Sequence, residues 1–173
     1  MLTKRIAKFE KVSFNQFKQG AEACNVPLPG DKLQEAYNRL ERPSRATEGS
    51  AGYDFTSPFF FTLCTRETIT VPTGIRVKIE PGWWLALLPR SGHGFKYRVQ
   101  LDNTVGVIDS DYYHADNEGH IFIKLSNDSL TGKQFQIKEG DGFCQGIFLP
   151  YGITKDDEAT ARRTGGFGST DKE

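Results

Sequence analysis

The stretch from Thr68 to Leu88, TITVPTGIRVKIEPGWWLALL, decides the fold. Within it, Ile75 to Ile79 alternates apolar and polar residues, which is the pattern of a half-buried strand. Turn signals flank that strand at residues 72–74 and 80–82, and Trp83 to Leu88 is an apolar run that predicts a buried strand. Short strands joined by tight turns favour a β-sandwich, a barrel or a jelly roll.

Outward from this stretch, the β pattern continues towards the C-terminus and a helical pattern precedes it. We predict further strands at 96–101, 105–109, 119–126, 134–137 and 143–149. Before residue 43, apolar residues recur at helical spacing. We expect Ser13 to cap one helix, Asp31 to cap a second, and Pro43 to end the second.

Composition narrows the function classes. The 173 residues include 22 basic and 22 acidic side chains, so the formal charge is zero and no bulk field attracts nucleic acid or an anionic membrane. Cys24, Cys64 and Cys144 are scattered without CxxC spacing, which supports neither a disulfide framework nor a zinc site. No apolar run is long enough to span a bilayer and no signal peptide is visible, so we expect a cytoplasmic protein.

Two short segments suggest anion chemistry. Gly49 to Phe55 is a run of small residues that ends in Asp54 before the final Phe, and it suits either a close backbone approach to a ligand or a loop entering a strand. In the next segment, Arg90 offers a planar fork, Ser91 a hydroxyl and Gly92 a free backbone N–H. Together they predict a phosphate cradle, although no Walker sequence closes it.

A third segment runs from Leu101 to Tyr113. Its Asp102-Asn103 pair is typical of a hairpin tip. Asp109 follows the apolar pair Val107-Ile108, an unusual place for a carboxylate without a function. The alternatives are a surface turn rich in Asp, or a metal pair of Asp109 and Asp111 on one face of an extended strand.

The last two segments lie near the C-terminus. Gln145 stands inside an apolar strand and needs partners from the backbone or from a ligand. The stretch from Arg162 to Thr170 is basic and glycine-rich with one aromatic residue, Phe167. It is either a disordered tail or a segment that folds over a phosphate while Phe167 stacks on a base.

In this order and spacing, the five segments resemble the five motifs of the trimeric dUTPase family, over residues 43–170. The most specific match is Gly106 to Tyr112 in motif three. The resemblance implies a mostly β protein, a jelly-roll-like β-barrel of the trimeric dUTPase type with a small N-terminal helical extension. The implied division is a partly helical extension at 1–42, the barrel at 43–154 and a flexible C-terminal lid at 155–173.

The resemblance also implies a reaction and an assembly. A homotrimer with sites at subunit boundaries would hydrolyse dUTP to dUMP and pyrophosphate with Mg²⁺, limiting uracil in DNA and supplying dUMP. Asp109 would activate the attacking water, and Asp54 would hold the magnesium through water. Asn103 would read the uracil edge, and Tyr112 would pack under the deoxyribose and reject a 2′-hydroxyl. The implied substrate-binding residues are Arg90, Ser91, Gly92, Asn103, Gly106, Val107, Ile108, Tyr112, Gln145, Arg162, Arg163, Gly166, Phe167, Gly168 and Ser169.

Several positions depart from the family pattern, of which Gly142 and Arg163 bear most on phosphate binding, and two rival functions remain open. Gly142 stands where the family usually has an arginine, and Arg163 where it usually has a glycine, so either Arg162 or Arg163 could be the phosphate ligand. One rival is a dCTP deaminase relative, for which no suitably placed glutamate is found beside motif three. The other is a nucleotide-sensing protein that binds a protein partner, motivated by the extension at 1–42.

Overall fold

The computed structural model describes residues 4–26, 28–161 and 165, and strands dominate them. The helices are α1 (Phe14–Ala23), α2 (Gly30–Arg39) and α3 (Ser91–Tyr97), and a 3₁₀ turn covers Ser110–His114. The strands are β1 (Ala7–Lys11), β2 (Tyr53–Thr56), β3 (Phe61–Leu63), β4 (Thr68–Pro72), β5 (Ile75–Ile79), β6 (Trp83–Pro89), β7 (Val99–Leu101), β8 (Gly106–Ile108), β9 (Phe122–Asn127), β10 (Phe135–Ile137) and β11 (Gly142–Pro150).

The strands pair antiparallel in four sheets around a shared core. The sheet orders are β1-β5, β10-β3, β2-β11-β6-β8 and β4-β9-β7. Inward-facing residues such as Phe55, Leu85 and Ile123 are almost fully buried in one apolar cluster. The mostly β, jelly-roll-like fold class is therefore confirmed, although over the described ranges the pairings form four sheets rather than one continuous closed barrel.

The N-terminal segment packs onto this core as a small second cluster. Val12, Phe17, Ala21, Leu33 and Leu40 bury one another between α1 and α2. Strand β1 pairs with β5 over its whole length, so the extension also contributes a strand to the β domain. The proposed boundaries at 42 and 154 stay a prediction.

Most predicted strands are confirmed within a few residues, but the strand at 96–101 is only half right. Residues up to Tyr97 belong to α3, and the strand begins at Val99. Helix α3 contains two glycines, which lower its intrinsic helix propensity, so the sequence did not predict a helix there. Tertiary packing compensates, because His93 and Tyr97 both contact the ring of Phe135.

Both predicted helices are present. Of the three residues predicted to begin or end them, Ser13 is confirmed, whereas Asp31 and Pro43 are wrong. The Ser13 side chain accepts a hydrogen bond from the Gln16 backbone N–H and caps α1 as expected. Asp31 is not a cap, because α2 already begins at Gly30 and Asp31 lies in its first turn. That helix ends at Arg39, before Pro43.

In the part of the chain that the structure describes, no helix has the length and apolarity needed to cross a membrane.

Candidate active site

Segments one, two and four meet on the sheet that contains β2, β11 and β6. Gln145 of β11 pairs in register with Asp54 of β2. Arg90 follows β6, and its Nε lies 3.1 Å from Asp54 Oδ1 while its Nη1 donates to the Gly142 carbonyl at 2.9 Å. Gln145 Nε2 donates to the Pro89 carbonyl at 3.1 Å. These three side chains and the Gly142 carbonyl form one polar group, which we call the Arg90 cluster (Asp54, Arg90, Gly142 and Gln145).

Two glycines, Gly52 and Gly142, provide room for the side chains of the Arg90 cluster, because a Cβ at either position would collide with them. A Cβ at Gly52 would lie 2.6 Å from Gln145 Oε1, closer than a side chain allows. A Cβ at Gly142 would lie 2.8 Å from Arg90 Nη1. The glycine at 142 is therefore matched to the present position of the Arg90 guanidinium.

The first turn of α3 lies beside this cluster. Ser91 and Gly92 are exposed there, and backbone N–H groups in a first helical turn have no intrahelical acceptor. Ser91 and Gly92 line a cavity of about 410 Å³. Its wall also includes the basic Arg90 and Lys96, His93 and the acidic Asp141. Burial, assisted by the nearby Arg90, lowers the pKa of His93 below its ordinary value. The positive charge of this cavity therefore comes from Arg90 and Lys96.

A second cavity, of about 360 Å³, opens at the turn between β7 and β8. We call it the turn cavity, and it is lined by Thr70, Leu87, Leu101, Asp102, Asn103, Gly106, Asn117, Phe122 and Lys124. A Cβ at Gly106 would lie 2.9 Å from Leu87 Cβ, so only glycine fits this wall. Apolar sides with amide groups at the rim suit a flat, partly polar ligand such as a nucleobase.

The turn at 102–105 is not a simple hairpin. Strand β7 pairs with β9, whereas β8 pairs with β6, so the turn passes from one sheet to another. Lys124 Nζ lies 2.8 Å from Asp102 Oδ2, and the Ser126 hydroxyl also donates to Asp102. Partial burial acts to raise the pKa of Asp102, but these two hydrogen bonds outweigh it and the pKa lies below its ordinary value.

Asp109 is exposed at the end of β8, immediately before the 3₁₀ turn. Because Asp111 lies in the 3₁₀ turn, residues 109 and 111 do not share a face of an extended strand, so the shared strand face on which the metal pair was based is wrong. Within the described ranges, no three His, Cys, Asp or Glu side chains are grouped as metal ligands. Ile108 is buried, but Val107 is 50% exposed, so only half of the preceding apolar pair faces the core.

Tyr112 lies in the same turn and is nearly buried, with 2% of its surface exposed. Its hydroxyl donates to the His120 carbonyl at 2.8 Å and accepts a hydrogen bond from Asn117 Nδ2 at 2.8 Å. Its position is therefore fixed by the residues that follow the turn.

The structure does not bring Asp109 and the Arg90 cluster together within one chain. Ile108 pairs with Leu85, which precedes Arg90 by five residues. That offset corresponds to about 16 Å along β6, and Asp109 lies one residue farther away. The two predicted groups therefore lie at opposite ends of the same strand pair.

The predicted residues Arg162, Arg163, Gly166, Phe167, Gly168 and Ser169 lie outside the described residues.

Comparison with known proteins identifies the family of this chain. A family model for dUTPase matches residues 38–171. Over 131 residues, the chain is 40% identical to the deoxyuridine 5′-triphosphate nucleotidohydrolase of Lactococcus lactis subsp. lactis, with 74% of this chain and 86% of that relative covered. This chain belongs to the dUTPase family.

One further relative and two solved structures agree with this family. The chain is 38% identical to the same-named protein of Actinobacillus pleuropneumoniae over 144 residues, covering 79% of this chain and 91% of the relative. A dUTPase structure from Streptococcus mutans superposes with a TM-score of 0.62 at 28% identity, covering 85% of this chain and 98% of that one. A phage phi11 dUTPase with a structural Mg(II) ion superposes at 0.60 and 20% identity, covering 91% and 98% of the two chains, and it shows the fold alone.

Sequence reasoning missed several residues of the candidate site. Lys124 and Phe122 of β9 line the turn cavity, and Asn117 binds Tyr112. None of them stands in a recognisable motif. Gly52 was within segment one, but its contact with Gln145 depends on strand register that the sequence does not show.

Proposed function

We propose that this chain is a dUTP pyrophosphatase that hydrolyses dUTP to dUMP and pyrophosphate. The main support is the Arg90 cluster, in which three separate segments supply a guanidinium, an amide and a carboxylate around one point. Phosphoryl transfer requires mainly positioning and neutralisation of charge, and a fixed guanidinium fork provides both.

Each end of the substrate has its own set of residues in this proposal. Arg90, Ser91, Gly92 and Gln145 bind phosphate oxygens. At the turn cavity, Asn103 reads the uracil edge, and the close packing of Gly106 on Leu87 keeps the cavity narrow enough to exclude a 5-methyl group.

Tyr112 packs under the deoxyribose and rejects a 2′-hydroxyl by steric clash with its ring. Its hydroxyl is not available for this role, because it already donates to the His120 carbonyl. Asp109 orients the attacking water and accepts its proton. The α-phosphorus then exchanges its bond to the bridging oxygen for a bond to the water oxygen, and pyrophosphate leaves.

The donor set also suits a magnesium ion that arrives with the substrate. Mg²⁺ keeps several waters and is usually held by one or two carboxylates together with substrate phosphates. Asp54 supplies one carboxylate beside the phosphate-binding Arg90, whereas no protein-only cage is found among the described residues. We propose that Asp54 holds Mg²⁺ through water, and that the ion neutralises phosphate charge.

The separation of Asp109 from Arg90 supports a homotrimer with shared sites. Asp109 lies six residues from Arg90 along this strand pair, or about 20 Å, which is too far for the phosphate chain of one nucleotide to contact both. Val107, two residues before Asp109, is 50% exposed, and Phe95, in α3 after Arg90, is 91% exposed. A subunit boundary that covers both half-sites would remove these two apolar side chains from water. We propose that one subunit supplies the Arg90 cluster and a neighbour supplies Asp109.

The C-terminal residues are proposed to contact both the phosphates and the base. Arg162 or Arg163 would bind phosphate and Phe167 would cover the uracil, with Gly166, Gly168 and Ser169 allowing close approach. A chain ending after Lys155 is then expected to bind dUTP weakly and to turn it over slowly.

The decisive experiment measures pyrophosphate release from dUTP, dTTP, dCTP and UTP, each with Mg²⁺ and with EDTA. Release from dUTP alone, abolished by EDTA, is the expected result. Ammonia release from dCTP would instead identify a deaminase, and dUTP binding without any release would identify a nucleotide-sensing protein.

A further inference from the structure

The N-terminal extension touches the 3₁₀ turn that follows Asp109, and it does so through charged hydrogen bonds. Glu118 accepts from the Ser13 backbone N–H at 2.8 Å and from the Ser13 hydroxyl at 2.6 Å. Ser13 in turn accepts from the Gln16 N–H and caps α1. The first turn of α1 is therefore fastened to the segment that leaves the 3₁₀ turn.

A second contact comes from β1. The Tyr113 hydroxyl, in the 3₁₀ turn itself, donates to Glu10 Oε2 at 2.7 Å. Glu10 is held from its other side by Lys8 Nζ, 2.8 Å from Oε1. These hydrogen bonds from Lys8 and Tyr113 lower the pKa of Glu10, so the carboxylate stays ionised at neutral pH.

Arg76 of β5 joins the two contacts. Its guanidinium carbon lies 3.6 Å from the centroid of the Tyr113 ring, and its Nη1 lies 3.9 Å from Glu118 Oε2. Partial burial acts to raise the pKa of Glu118, but the hydrogen bonds from Ser13 and the charge of Arg76 outweigh it, and the pKa is lowered. The five residues Glu10, Ser13, Arg76, Tyr113 and Glu118 thus form one connected network, which we call the clamp.

The clamp is in contact with the segment that holds Tyr112, one of the residues that would contact substrate. A Cβ at Gly119 would lie 2.7 Å from the Tyr112 carbonyl oxygen, so the segment after Glu118 packs directly on the turn. Asn117 and the His120 carbonyl fix the Tyr112 hydroxyl. The 3₁₀ turn has Asp109 at its N-terminal end, so a movement of the turn displaces both Asp109 and Tyr112.

We propose that the clamp makes Glu118 and Tyr113 positioning residues, through which the N-terminal extension holds Asp109 and Tyr112 in their working geometry. This inference rests on the proposed function for its kinetic consequence, although the structural coupling can be measured without it. The clamp does not touch the Arg90 cluster. Its loss is therefore expected to lower turnover and sugar discrimination while leaving phosphate binding intact.

The test compares Glu118→Gln and Tyr113→Phe with Glu80→Gln, the matched control. Glu80 accepts a hydrogen bond from Lys4 at 2.7 Å, so it also links the extension to the β domain, but away from the turn. Small displacements of a catalytic group reduce rates steeply. We expect kcat for dUTP to fall about 10-fold in Glu118→Gln and about 3-fold in Tyr113→Phe, with KM changed less than about 2-fold. The ratio of kcat/KM for dUTP to that for UTP is expected to fall in both variants.

A second readout is independent of activity. Amide hydrogen exchange over residues 109–121 is expected to accelerate in Glu118→Gln and Tyr113→Phe and to stay at the wild-type rate in Glu80→Gln. Wild-type kcat and wild-type exchange in both clamp variants would overturn the proposal, as would equal losses in Glu80→Gln. A wild-type chain that does not hydrolyse dUTP would contradict the proposed function, and the exchange rates would still decide the coupling.

Discussion

The Arg90 guanidinium is held 3.1 Å from the Asp54 carboxylate and 2.9 Å from the Gly142 carbonyl, which joins a cation from one segment to partners from two others. Its fork is therefore oriented before any phosphate arrives. A preoriented donor binds an anion without first losing side-chain entropy.

Arg90→Lys removes the planar fork and keeps the charge. A lysine binds phosphate as a point charge and cannot make the two-pronged contact. We expect KM for dUTP to rise about 10-fold with a smaller change in kcat, measured by steady-state pyrophosphate release. Arg66→Lys, at an exposed turn, is the control and is expected to behave as wild type. An unchanged KM in Arg90→Lys would remove Arg90 from the phosphate site.

Gly142→Ala places a methyl group against Arg90 Nη1, at 2.8 Å in the present geometry. The guanidinium is expected to shift away from the Gly142 carbonyl, and KM for dUTP to rise about 3-fold with little change in Tm. Gly30→Ala provides the comparison, since nothing lies within 4 Å of a Cβ there. Equal kinetics in the two variants would mean that Arg90 does not depend on the space at 142.

Asp109→Asn keeps the size of the side chain and removes its basicity. We expect kcat to fall by about 10²-fold or more while dUTP affinity and Tm stay near wild type. Equilibrium binding of a non-hydrolysable dUTP analogue and thermal unfolding check the last two points. Near-normal turnover would place the general base elsewhere.

Subunit mixing tests whether the site is shared. Arg90→Ala and Asp109→Asn are each expected to be nearly inactive, but refolding the two chains together creates sites with Arg90 from one subunit and Asp109 from another. Random assembly of equal amounts is expected to restore about a quarter of wild-type activity. Mixtures no more active than the separate variants would show that each chain builds a site alone.

His120 is expected to make stability depend on pH. Burial lowers its pKa from 6.5 to about 4, against the opposite influence of Glu118. The folded protein thus keeps His120 neutral while the unfolded chain binds a proton below about pH 6.5, so stability is complete above that pH and falls as pH approaches 4. Between pH 7.5 and 5, we expect the free energy of unfolding to fall by about 2 kcal/mol from this group.

Urea unfolding of His120→Gln and of His114→Asn separates this contribution from others. His120 Nε2 accepts from the Gly74 N–H at 2.9 Å, and a glutamine carbonyl can replace that acceptor without titrating. The pH slope is expected to shrink in His120→Gln and to persist in His114→Asn, whose side chain is exposed. Equal slopes would assign the effect to other residues.

The sequence by itself determined the β character, the helical extension and the five segments, because these depend on local patterns. The alternation at Ile75 to Ile79 follows from a strand with one buried face, and it forms β5 as predicted. The residue types of segments one to four were also readable, since phosphate and base recognition require particular side chains wherever they stand.

Tertiary structure decided what local patterns do not encode. Strand β1 was not foreseen because its sequence is rich in charge, and it forms through pairing with β5. The register of β6 with β8 separates Asp109 from Arg90, and the register of β11 with β2 places Gln145 beside Asp54. Likewise, the hydrogen bonds of Glu118 with Ser13 join residues 105 positions apart. Such contacts depend on how the whole chain buries its apolar surface, which no single window of the sequence contains.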